Sequence, residues 1–196
     1  MLHRVRILAV AAFLVPSFAQ ASIITYAAIL NGASEAPPNV SAGTGFATVT
    51  VDSILHTLAV SVTFSGLTGT TTASHIHSAT AAPGTGTAGV ATTTPTFAGF
   101  PLGVTSGTYQ NLLDLTQASS WNNAFILANG GTTASAEVAL LAGLAANKAY
   151  LNIHTSSYAG GEIRGFLTAV PEPTSMLLLG TGLAGLVAAR ARRRRS

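Results

Sequence analysis

Between Ile23 and Leu167 the chain runs through short segments with a two-residue hydrophobic period, separated by longer stretches of Ala, Thr, Gly and Pro. Ile23 to Leu30 has strand character. Gly32 to Pro38 breaks it, since Pro37-Pro38 forbids helix and favours an extended or turning path. Phe46 to Val51 and Thr57 to Phe64 both alternate, setting Ala47, Val49 and Val51 against Phe46, Thr48 and Thr50, and placing Leu58, Val60, Val62 and Phe64 on one face. Asp52 to His56 joins them, which predicts a hairpin with His56 as a solvated turn residue. Leu67 to Ala73 leads into a strand bearing His75 and His77. Ser78 to Gly107 reads as loop and irregular strand, with strand-like pieces near Val90 and Val104. Asn111 to Gln117 and Glu137 to Leu144 have helical spacing, the second with Val138, Leu141 and Leu144 on one stripe. Ala149 to His154 and Glu162 to Leu167 predict two more strands, joined by Thr155 to Gly161 with its Gly160-Gly161 pair. At least six short strands with one or two short helices predict an all-β domain, an antiparallel, Greek-key-like sandwich or barrel.

Charge changes the picture only at the ends. Of nine Lys and Arg, only Lys148 and Arg164 lie between Ser22 and Val170, against Glu35, Asp52, Asp114, Glu137 and Glu162, so that segment carries −3. The basic balance of the whole chain belongs to its tails, and no basic face of the kind nucleic acid requires is present. Residues 1–21 read as a secretory signal: Arg4 and Arg6, an apolar Ile7 to Val15, then the small-x-small Ala19-Gln20-Ala21. The absence of cysteine excludes disulfides, thiol catalysis and thiolate metal sites. Residues 22–170 form the expected domain and 171–196 a distinct tail. The tail runs Pro171-Glu172-Pro173, an uncharged stretch from Thr174 to Ala189, and an arginine cluster. Those sixteen residues reach roughly 24 Å as a helix, so 174–190 inserts with some bilayer thinning and leaves its arginines on the cytoplasmic side.

Chemically capable side chains concentrate in two places: His75-Ile76-His77, and Tyr150 to Thr155 followed by Gly160 to Gly165. Strand alternation points His75 and His77 one way, and pairs Asn152 with His154 and Glu162 with Arg164. Two readings follow. Glu35, Asn152, Glu162 and Arg164 can form a structural polar network with the histidines, because buried polar groups must hydrogen-bond. Alternatively His75, His77 and His154 ligate Cu or Zn, with Glu162 as a further ligand or the group that orients one. The sequence holds no Gly-x-Ser-x-Gly elbow, phosphate loop or His-Glu-x-x-His helix. The glycine patterns at Gly84 and Gly180 lack the strand, helix and acidic partner of a dinucleotide fingerprint, and no spacing fixes Glu35 and Glu162 as a glycosidase pair. The Asn39-Val40-Ser41 triplet matches a glycosylation acceptor.

Two resemblances add to this. Pro-Glu-Pro, apolar helix and Arg-rich end, in that order, resemble the PEP-CTERM sorting signal of Gram-negative bacteria. That resemblance implies an exosortase and the secretion machinery as partners, a membrane-anchored intermediate, and delivery to the cell surface or matrix. Asn31 to Pro38, Gly66-Leu67 before His75-Ile76-His77, Asn152-Ile153-His154-Thr155 and Gly161-Glu162-Ile163-Arg164-Gly165 resemble the CHRD domain over about residues 24–168. This implies an extracellular β-rich module. The Gly66 to His77 segment is also similar to the copper-binding strand of Cu/Zn superoxide dismutase, but no Cys pair and no His/Asp zinc loop accompany it, so full dismutase machinery is not expected. The reading that results is a non-enzymatic surface module binding extracellular polysaccharide or surface proteins. A Cu or Zn protein is the alternative.

Overall fold

The computed structural model describes residues 23–171 together with 181, 182 and 190. The expected signal segment and nearly all of the expected membrane helix lie outside the described residues, and among those described no helix is long and apolar enough to cross a membrane.

Eight strands form one curled antiparallel sheet: β1 (Ile23–Asn31), β2 (Thr44–Asp52), β3 (Thr57–Ser65), β4 (Thr71–His77), β5 (Gly107–Asp114), β6 (Tyr150–Thr155), β7 (Ile163–Phe166) and the short β8 (Thr168–Ala169). Their order across the sheet is β4-β6-β7-β1-β2-β3-β5, with β8 beside β1. The all-β antiparallel expectation holds, in the form of a half-barrel. The β2–β3 hairpin pairs without a slip from Thr44↔Ser65 to Asp52↔Thr57, and its alternation puts Ala47, Val49, Val51, Leu58, Val60, Val62 and Phe64 in the core. Two helices, α1 (Asn123–Ala128) and α2 (Thr133–Ala145), complete that core from the other side: Phe125, Leu140 and Leu144 join the strand residues in one cluster.

Two local expectations are corrected. Residues 111–117 are not helical: through Asp114 they belong to β5, which runs the length of β3 from Phe64↔Gly107 to Thr57↔Asp114. The second side of β3 offers eight partners, and that pairing outweighs the local spacing of Leu112 and Leu115. On α2 the buried stripe is Ala136, Leu140 and Leu144, while Val138 is 69% exposed. In so alanine-rich a helix the large residues alone do not mark the buried face. Thr132 caps α2 in a reciprocal pair with Ser135.

The sheet's two faces differ. Leu30, Ile76, Leu151, Ile153 and Ile163 fill the core on one face. On the other, the β2–β3–β5 half is open, with Thr48, Thr50 and Ser61 at the surface. The β4–β6–β7 half is roofed by loops, and the imidazole, amide, phenol and guanidinium side chains of these three strands lie under that roof, while the Ser74 and Thr155 hydroxyls lie on the core face.

A roofed histidine cluster and a carboxylate clamp

Register builds the cluster. His75 pairs with Asn152, His77 with Tyr150 and Ala73 with His154, and Asn152 in turn pairs with Arg164. Directly opposed residues of an antiparallel pair share a face. One face therefore carries His75, His77, Tyr150, Asn152, His154 and Arg164, as alternation within each strand predicts. His75 and His77 are buried and His154 is half-buried. Ring centroids lie 5.2 Å apart for His75 and His154, 5.8 Å for His75 and His77, and 6.0 Å for His77 and His154. One ring nitrogen from each histidine lies within 4.8 Å of those of the other two.

The roof fixes the tautomers. Nε2–H of His75 donates to the Pro95 carbonyl at 2.5 Å, Nδ1–H of His77 to Ala88 at 2.9 Å, and Nδ1–H of His154 to Ala159 at 2.9 Å. A carbonyl only accepts, so each of these nitrogens holds the proton and the other is a lone pair. Those others, Nδ1 of His75, Nε2 of His77 and Nε2 of His154, are buried without a partner. Burial holds both His75 and His77 below the ordinary imidazole range, His77 at about 4, against the opposing bond to the Ala88 carbonyl and with help from the neighbouring rings and Arg164. At neutral pH the two buried rings are uncharged acceptors.

Around them, His77 stacks on Tyr150 at 4.7 Å and the Arg164 guanidinium lies 4.7 Å over the other partner of that stack, the Tyr150 ring. Arg164 also donates to the Ser34 carbonyl and, at 3.0 Å, to that of Gly86, so it fastens two roof loops. Glu35 is 3.8 Å from Arg164. Burial raises its carboxyl to about 7, more than Arg164, the Ala36 amide and Asn152 pull it down. Gly161 must be glycine here, for its φ is +130° and a Cβ would fall 2.5 Å from the Asn152 amide and 2.8 Å from Glu35 Oε1.

Glu162 does not join this face. Its Oε1 accepts from Ser41 Oγ and the Thr68 amide, both at 2.5 Å, and its Oε2 from Thr155 Oγ1 at 2.6 Å and the Gly69 amide at 3.1 Å. Thr155 alternates with His154 and shares the core face with Ile153, so the clamp lies across the sheet from the histidines. Burial raises the Glu162 carboxyl, but the four hydrogen bonds outweigh it and leave it below the usual range. The sequence expectation of Glu162 as a metal ligand or orienter is therefore replaced by a loop clamp. Ser41, Thr68 and Gly69 were not singled out by sequence; the only signal was the glycosylation-like triplet, whose Asn39 donates to the Glu162 carbonyl at 2.9 Å. His56 is an exposed turn residue, as expected, and it also pairs with buried Glu137 at 2.9 Å. Glu35 and Glu162 belong to separate hydrogen-bonded sets, not a facing pair.

The fold and site define an all-β antiparallel module whose roofed sheet half carries a histidine cluster. The chain belongs to the CHRD domain family, whose model matches residues 26–167, and the PEP-CTERM protein-sorting motif matches 169–194. No curated protein and no solved structure matches it. The sorting motif makes this an exported, exosortase-processed protein that passes through a membrane-anchored intermediate in a Gram-negative bacterium.

Proposed function

We propose that the chain is a cell-surface or extracellular-matrix protein whose CHRD domain is a non-enzymatic binding and structural module, released from its anchor at Pro171-Glu172-Pro173. The observation that carries this is how the loops are held. In a chain without cysteine, long loops are tied down by two buried charged side chains, Glu162 across Ser41, Thr68, Gly69 and Thr155, and Arg164 across Ser34 and Gly86. Such charge-assisted bonds are the stronger class, and they order loops that would otherwise be flexible. That suits a module that presents loops to polysaccharide or protein partners outside the cell, where cytoplasmic chaperones are out of reach.

The test is fractionation with surface proteolysis of the intact cell. Wild-type chain is expected at the surface or in the medium, shortened at its C-terminus. A variant with residues 171–173 changed to alanine is expected to stay full-length in the inner membrane. Wild-type chain that remains full-length in the cytoplasm or inner membrane contradicts the reading.

A further inference from the structure

We propose that His75, His77 and His154 form a mononuclear site for a borderline d-block cation, zinc or copper, bound through His75 Nδ1, His77 Nε2 and His154 Nε2. This stands independently of sorting and surface display.

Three observations point to a cation and not to a self-sufficient network. Each of the three rings has a buried nitrogen with no hydrogen-bond partner, and each ring brings one nitrogen within 4.8 Å of a nitrogen on both others. A buried acceptor without a partner is destabilising, and a fold that collects three in one place bears that loss three times unless something electrophilic sits among them. Each ring also donates its other nitrogen to a backbone carbonyl, Pro95, Ala88 and Ala159. That is how metal-bound imidazoles are oriented: the carbonyl fixes the tautomer and leaves the ligating lone pair exposed. Finally, Asn152, cross-strand neighbour of His75 and two residues from His154, has a buried Oδ1 that is likewise unpartnered. A water in the fourth coordination position is a donor such an oxygen can accept from.

Ligand chemistry names the ion class. Three neutral imidazoles with no carboxylate exclude Ca²⁺ and Mg²⁺, which need oxygen, and the lack of thiolate removes soft sulfur chemistry. Imidazole sets of this kind suit Zn and Cu, and three protein ligands leave one position open. The Arg164 guanidinium, stacked on Tyr150 behind His77, adds positive charge beside the ion. It disfavours a second cation and so argues for a single metal.

The experiment uses the whole chain without a histidine tag, stripped with a chelator and titrated calorimetrically with Zn²⁺ and with Cu²⁺. One equivalent of at least one ion is expected. His154→Ala removes the least buried ligand and so leaves the fold intact by circular dichroism. It should weaken binding by about 100-fold or more, since loss of groups that merely orient ligands already costs 10–100-fold. His56→Ala, at the far hairpin, should change nothing. Co²⁺ supplies a readout on the wild-type chain alone: intense four- or five-coordinate visible bands are expected. No saturable binding of either ion, affinity unchanged in both His154→Ala and His77→Gln, or only the weak bands of octahedral Co²⁺ would each overturn the assignment.

Discussion

His154 and Thr155 are consecutive residues of β6, and they open onto two polar clusters finished in opposite ways. On the Thr155 side, Glu162 accepts four hydrogen bonds, one from each of four donors in loops and strand. On the His154 side, three imidazoles each spend one nitrogen on a roof carbonyl and leave the other bare. The first cluster is complete as folded and reads as architecture. The second is complete only in its outer partners, which is the mark of a site built for a ligand. The buried acids repeat the contrast: hydrogen bonds hold Glu162 low, whereas burial holds Glu35 at about 7.

Breaking the complete side should cost most. Glu162→Ala orphans two backbone amides and two hydroxyls, and a loss of about 3–5 kcal/mol is expected in urea unfolding. Next comes Arg164→Met, which leaves the Ser34 and Gly86 carbonyls unpaired and Glu35 without its countercharge; about 2–4 kcal/mol is expected. The two acids should also give opposite pH slopes. A carboxyl raised from about 4.5 to about 7 stabilises fully below its unfolded value and loses that contribution as pH climbs through 7, up to about 3 kcal/mol for Glu35. Glu35→Gln should flatten that fall between pH 5 and 8. The lowered carboxyl of Glu162 does the reverse: its contribution is present above the unfolded value and disappears as pH drops through the folded one, so Glu162→Gln should blunt acid unfolding. The smallest effect belongs to His56→Ala. The pair with Glu137 is half solvated on the histidine side, and about 1 kcal/mol or less is expected in thermal unfolding.

Much of this was legible because strand alternation is a strict rule. It placed Val49, Val60 and their neighbours in the core, and it put His75 with His77 and Asn152 with His154 on shared faces. That β4 and β6 would lie side by side was not legible, since 72 residues separate His77 from Tyr150 and pairing across such a distance leaves no local trace. Glu162 was misplaced for a related reason. It lies just before β7, where alternation with Arg164 no longer applies, and its partners come from loops around Ser41 and Thr68. Residues 111–117 failed because a neighbouring strand, not the segment's own spacing, decided their conformation. Val138 failed because the buried stripe of α2 runs Ala136, Leu140 and Leu144 at steps of four, and a reading that joins Val138 to Leu141 and Leu144 at steps of three takes in the exposed side.

The contrast between the two clusters is tested most directly by thermal unfolding of the chelator-stripped chain with and without one equivalent of Zn²⁺ or Cu²⁺, in the wild type and in Glu162→Gln. One of these ions is expected to raise the midpoint of both proteins by a similar amount, because only the histidine side lacks a partner and the two clusters lie on opposite faces. A midpoint that neither ion moves, with the histidine cluster as stable stripped as loaded, would contradict it.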